Sequence, residues 1–255
     1  MIAWKQTEGV WESTKTMPLE DRGFRYGMSV FETVAVVAGR PLLLEAHVQR
    51  LRRAAEDCGG RLPDIADFDF SRLWTGLLRF YLTAGPGGPA DPFGGSLYAL
   101  FELAEMGWNL PALRVMSSAA PYLPRPGGWK SGNYWQNVEV LGHARRAGCD
   151  EALVFNPAGM LVGAAMANVF LKMDGAWVTP ALETGARDGA VRDWVIDHLA
   201  IEEAILGSQD IARCSAAFLT NSRVGIRSVR ELDGRPLGDA AVDIQQKYFD
   251  EIFAA

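Results

Sequence analysis

Residues 150–180 read DEALVFNPAGMLVGAAMANVFLKMDGAWVTP. Apolar runs are broken at Asn156–Gly159 and at Asp174-Gly175, where Asn, Asp, Pro and Gly suit tight turns, so the stretch reads as paired strands. Its centre, GMLVGAAMANVFL at 159–171, carries no charge, and four of the five middle residues are Gly or Ala. Such a run is either an ordinary buried strand or a place where backbone comes close to a ligand.

Working outward, NYWQNVEVLGHARRAG (133–148) has helical spacing, with Tyr134, Val138 and Leu141 on one face and Gly148 at its end. Further upstream, SVFETVAVV (29–37) reads as a strand. LLLEAHVQRLRRAAEDCGG (42–60) reads as a helix on Leu44, Val48, Leu51, Ala55 and Cys58, stopped by Gly59-Gly60. SRLWTGLLRFYLTAG (71–85) passes from helix to strand, residues 84–95 are a loop by composition, and SLYALFELA (96–104) is a strand. Residues 105–133 are irregular and rich in Gly and Pro. A boundary near Gly107–Pro111 divides the chain into domains 1–108 and 109–255. Downstream come a helix after Gly189, strands through AAFLTNSRVGIRSV (216–229) and an amphipathic helix over 239–254. The pattern is two mixed α/β halves.

The chain has 255 residues, a net charge of −6 from scattered acids and bases, and no basic block, which argues against nucleic-acid binding. Three distant cysteines and three histidines form neither a disulfide framework nor a metal motif. No run spans a bilayer and the N-terminus lacks signal-peptide order, so a cytoplasmic compartment is expected.

Lys130, in GGWKSGN, precedes a helix. A loop lysine is ordinarily solvated; one held in a dry cleft is a usable amine nucleophile. Arg50 lies one turn after His47 on the first long helix, where an exposed charge is the ordinary reading. In RDGAVRD (187–193), Gly189 permits close approach, and the amides of Ala190 and Val191 open a helix whose N-terminus favours an anion. Ser222, in TNS after the strand AAFL, offers a hydroxyl, although these residues also suit a simple turn. Brought together in the fold, an arginine, a helix N-terminus and a strand-end hydroxyl would cradle a phosphate near a lysine, which is the constellation a pyridoxal phosphate enzyme needs.

DRGFRYGMSVFETVAVVAGRPLLLEAHVQRLRRAA (21–55), residues 130–180, RDGAVRDWVI and AAFLTNSRVGIRSV occur in the order and spacing of the class IV aminotransferase family, and the chain resembles it from about residue 20 to 230. These are the fold type IV pyridoxal phosphate enzymes, which include branched-chain and D-amino-acid aminotransferases and 4-amino-4-deoxychorismate lyases. The resemblance implies a small N-terminal and a larger C-terminal α/β domain with a cofactor cleft between them, and a homodimer acting on an amino substrate. It implies that Lys130 is the Schiff-base lysine, that Tyr134 lies near the cofactor's ring hydroxyl, and that Arg50 binds phosphate. Ala190 and Val191 would give phosphate-binding amides and Ser222 a hydroxyl; Val191 stands where the family has Thr.

One position departs. The family's Y-[IV]-[ST]-E-G-[SA]-x-[SE]-N-[IVL]-F aligns with Met160–Phe170, so the glutamate that pairs with the pyridine nitrogen falls on Gly163. Asp150 and Glu151 occupy ordinary family positions and are not expected to replace it. A competent aminotransferase is the expected function. A lyase branch is suggested by TNS, although the lyase's K-x-x-N-R is absent. A degenerate member that binds without turnover is suggested by Gly163 and Val191, and a plain α/β protein with no site is the remaining reading.

Overall fold

The computed structural model describes residues 1–106, 111–125 and 128–253, so the boundary region 107–110 lies outside it. The chain forms two compact units. One comprises Met1–Met106 with Trp129–Tyr134, the other Gly107–Gly128 with Trp135–Ala255. The division at 108/109 counts Lys130 with the C-terminal half; by its contacts the lysine segment belongs to the first unit.

The first unit contains β1 (Ile2–Thr7), β2 (Val10–Ser13), α1 (Arg22–Tyr26), β3 (Ser29–Val37), β4 (Arg40–Pro41), α2 (Leu44–Asp57), β5 (Gly76–Thr83) and β6 (Ser96–Leu103). Its strands form one sheet in the order β2-β1-β6-β5-β3-β4, with every pairing antiparallel. Residues i and i+2 of a strand share a face. Val30, Val34 and Val36 therefore share the β3 face that packs with Val48, Leu51, Ala54 and Ala55 of α2. The expected helix over the first residues of 71–85 is only a short 3-10 turn, Phe70–Arg72.

The loop 84–95 is organised by a residue the sequence reading passed over. Arg22 is 1% exposed. Its guanidinium donates to the carbonyls of Ala84, Gly85, Gly88, Asp91 and Pro92. A guanidinium has five N–H groups in a fixed fork, and here they collect five carbonyls of a loop without strands or helices of its own.

The second unit contains β7 (Leu113–Ser117), α3 (Trp135–Arg146), β8 (Glu151–Phe155), β9 (Leu161–Ala164), β10 (Asn168–Met173), β11 (Ala176–Pro180), α4 (Ala190–His198), β12 (Ile201–Ala204), α5 (Ser208–Arg213), β13 (Ala216–Asn221), β14 (Gly225–Leu232), β15 (Arg235–Pro236) and α6 (Val242–Ile252). The sheet runs β12-β11-β10-β13-β14-β7-β8-β9, with β15 on β14. The hairpins β8–β9 and β10–β11 fall where the turns were expected. Strand β7, inside the stretch read as irregular, pairs in parallel with both β14 and β8. The α3 face is also corrected: Val140 and Ala144 are buried against Ala152, Val154 and Val162, while Val138 is exposed. Among the described residues no helix is long and apolar enough to cross a membrane.

Lysine has three donors on one point and cannot reproduce the fork of Arg22. Arg22→Lys is expected to lose about 3 kcal/mol of stability in chemical denaturation, because buried carbonyls lose their partners. A loss below about 0.5 kcal/mol would show that the loop holds itself.

Candidate functional site

In the first unit the site is built on β3. Phe31 N donates to Lys130 O at 3.0 Å and Gly132 N to Ser29 O at 2.8 Å, and Ser131 forms an antiparallel bridge with Val30. The lysine segment is thus laid along the strand in a fixed register. Gly132 suits that place, because a Cβ would meet Ser29 Oγ unless the hydroxyl turned aside. Ser131 pairs with Val30, so Lys130 falls on the alternate face, that of Phe31. Lys130 Nζ lies 5.4 Å from the centroid of the Phe31 ring. That ring stacks on Tyr81 at 4.8 Å and meets Tyr134 edge-on at 5.4 Å. Lys130 and Tyr134, singled out separately in the sequence, flank one aromatic ring.

On the other face of β3, Glu32 shares a side with Val30 and Val34 and so points at α2. Its carboxylate lies 2.7 Å from His47 Nδ1, with both side chains buried. Burial holds the His47 pKa below its ordinary value. The Glu32 hydrogen bond and charge oppose that shift, while Arg50 and Lys130 add to it. A neutral His47 donates from Nδ1 to the Glu32 carboxylate. Arg50, expected as an exposed helix charge on general grounds, is buried with His47 on the inner side of α2. The Glu32–His47 pair was not anticipated; a histidine one turn before the arginine was its only trace.

In the second unit, three side chains hold the turn between β9 and β10. Glu151 accepts from Met166 N at 3.1 Å, Asn137 donates to Ala165 O at 2.7 Å, and Asn221 donates to Met166 O at 3.1 Å. Gly163 has φ +157° and a Cβ there would sit 3.1 Å from Ala167 O. The backbone has settled into a conformation that favours glycine, so a carboxylate cannot be returned to this position without strain. Asn168, the first residue of β10, donates to Arg187 O at 2.6 Å. Its Oδ1 fills the space a Cβ of Gly189 would take. Gly189 is the N-cap of α4 and gives it no side-chain cap. Asn221 also accepts from Arg223 N and Val224 N, which shapes the end of β13 carrying Ser222. The Gly163 turn, the N-terminus of α4 with Ala190 and Val191, and the TNS strand end are therefore linked within one unit.

The family described as amino-transferase class IV matches residues 29–232. The chain belongs to that family. It is 26% identical to a branched-chain-amino-acid aminotransferase of Salmonella typhimurium, over 94% of this chain and 88% of that protein. It is 24% identical to an aminodeoxychorismate lyase of Bacillus subtilis, over 91% of this chain and 88% of that one. A branched-chain aminotransferase from Thermoproteus uzoniensis, solved with norvaline, superposes with a TM-score of 0.88 at 21% identity, covering 100% of this chain and 95% of that one. The fold is that of the fold type IV enzymes. Class IV aminotransferases and lyases depend on pyridoxal phosphate.

Glu151 gives this site a pH signature. Burial raises its pKa to about 7, against the opposing effect of its backbone hydrogen bonds and of Arg145. The folded protein therefore keeps a proton that the unfolded chain releases near pH 4.5. That contribution to stability is complete below the unfolded value and is lost as pH rises to about 7. The stability of the wild type relative to Glu151→Gln should accordingly fall between about pH 4.5 and 7 and level off above it. A difference that is flat with pH in urea titrations would contradict the assignment.

Proposed function

We propose that this chain is a pyridoxal-phosphate-dependent aminotransferase acting on a small amino compound, with Lys130 as the Schiff-base lysine. The observation that carries the reading is the placement of Lys130 on β3, fixed by the Phe31 and Gly132 backbone bonds, with its amine over an aromatic ring. The donor set fits the cofactor at two of its ends. A primary amine suits the aldehyde. A buried guanidinium at Arg50, the α4 amides of Ala190 and Val191, and the hydroxyl of Ser222 suit a phosphate. Tyr134 is assigned to the ring hydroxyl.

When bound, pyridoxal phosphate supplies an aldehyde carbon for the amine and a ring that draws electrons from the substrate. Lys130 Nζ provides the amine and moves the substrate's α-proton as general base and then acid. Arg50, Ala190, Val191 and Ser222 hold the phosphate and so fix the register of the reacting atoms. Phe31 and Tyr81 form an apolar floor under the lysine. At the ring nitrogen the fit is weaker: Gly163 offers no carboxylate, and Glu151 spends its own on the Met166 and Ala152 amides. Weaker electron withdrawal predicts slow transamination.

The second reading, a lyase that eliminates pyruvate from aminodeoxychorismate, is supported by the similarity to the Bacillus subtilis lyase. A cytoplasmic homodimer belongs to the same proposal. Association would cover exposed apolar side chains such as Phe24 on α1 and Trp135 on α3.

Purified protein mixed with pyridoxal phosphate should develop the absorbance of a lysine-bound cofactor, and Lys130→Ala should not. A panel of amino donors should then convert that band to the pyridoxamine form. Conversion of aminodeoxychorismate without any donor reaction would favour the lyase. No band in the wild type would falsify the cofactor reading.

A further inference from the structure

The turn between β9 and β10 has no proton left to offer a ligand. Ala164 N donates to Ala167 O at 2.8 Å, Ala165 N to Ala152 O at 2.9 Å, and Ala167 N to Ala164 O at 3.5 Å. Met166 N donates to Glu151 Oε2 at 3.1 Å. Every backbone N–H from Ala164 to Ala167 is therefore spent inside the protein. The side chains are three alanines and a methionine, and none of these is a donor. Gly163, just before the turn, adds no side chain and is paired with Val154 across the β8–β9 hairpin.

The turn is also fixed and accessible. Asn137 and Asn221 hold the carbonyls of Ala165 and Met166, so an amide swings outward only by breaking bonds on both sides of the turn. Met166 and Ala167 are half-buried, so the turn borders open space. Glu151, the acid tied to this turn, uses Oε1 on Ala152 N and Oε2 on Met166 N. A basic ring nitrogen placed here meets neither an acid to keep it charged nor an N–H to accept from. Without an opposite charge beside it, burial favours its neutral form.

We propose that the ring-nitrogen end of the cofactor seat is an edge without hydrogen-bonding groups, which holds the ring as a neutral pyridine and accepts a carbocyclic ring of the same shape equally well. This rests on the cofactor reading and on the alignment that sets Gly163 where the family has its glutamate. It goes further in one respect. The absent carboxylate is not replaced by a backbone donor, so the seat reads the shape of the ring and not its nitrogen.

A side chain at position 163 is strained, so the test varies the ligand. Pyridoxine 5'-phosphate lacks the aldehyde and binds without bonding to Lys130. It is compared by calorimetry with its carbocyclic counterpart, in which C–H replaces the ring nitrogen. Intact wild type and Glu151→Gln are both titrated at neutral pH. The two ligands are expected to bind wild type within about threefold of each other, because no protein bond distinguishes them. A bond from the nitrogen to an acid is worth about tenfold or more. A preference of that size for pyridoxine phosphate overturns the inference, and its disappearance in Glu151→Gln would name Glu151 as the partner. Pyridoxal phosphate labelled with nitrogen-15 in the ring gives a second reading on wild type alone. The resonance of an unprotonated pyridine is expected, and that of a protonated one overturns the inference. Wild type that develops the Lys130-bound absorbance yet holds a protonated ring refutes this inference and leaves the cofactor reading standing. Wild type that binds none of these ligands and develops no such absorbance refutes both.

Discussion

The backbone pairing between Lys130–Gly132 and the start of β3 is the constraint on which the site depends. Two hydrogen bonds, which together make the Val30–Ser131 bridge, set the register of a segment that is otherwise coil. A shift of one residue would turn Lys130 from the face of Phe31 to that of Glu32. A side chain at Gly132 would fall on Ser29 Oγ and would need that hydroxyl to turn aside. The lysine's reach and its aromatic surroundings follow from backbone geometry before any ligand is considered.

Around that register the two faces of β3 do different work. One face presents apolar rings to the amine. The other buries a carboxylate–imidazole pair beside Arg50, so that α2 carries polar groups into an otherwise apolar core. A buried carboxylate is tolerated only where donors meet it, and Glu32 takes the His47 Nδ1–H across the strand–helix interface. In the second unit the same economy appears as backbone held by side chains. Glu151, Asn137 and Asn221 fix a turn that carries no side-chain chemistry of its own. The missing carboxylate at Gly163 is thus accompanied by a turn whose conformation suits glycine and which is tied down elsewhere.

Much of the fold was legible where pattern and turn chemistry agree. The two hairpins of 150–180, the helix α2 and the strand β13 all show the spacing or the turn residues that produced them. What escaped did so for physical reasons. Strand β7 is five residues long in a Gly- and Pro-rich stretch, and its parallel partners are distant in sequence. The buried face of α3 is made by Val140 and Ala144 because small residues allow close packing on β8, and hydrophobicity alone pointed instead to Val138. Arg22, His47, Arg50 and Glu151 are polar and buried, a combination that periodicity treats as surface. At the site, the family pattern supplied Lys130 and the α4 amides.

In the proposed function Lys130 is the amine that takes the cofactor. Reduction of the pyridoxal phosphate complex with borohydride would make that bond permanent, and peptide mass spectrometry would then locate it. One pyridoxyl group is expected on the peptide containing Lys130. A label on Lys5, Lys15, Lys172 or Lys247 in its place, or no label at all, would contradict it.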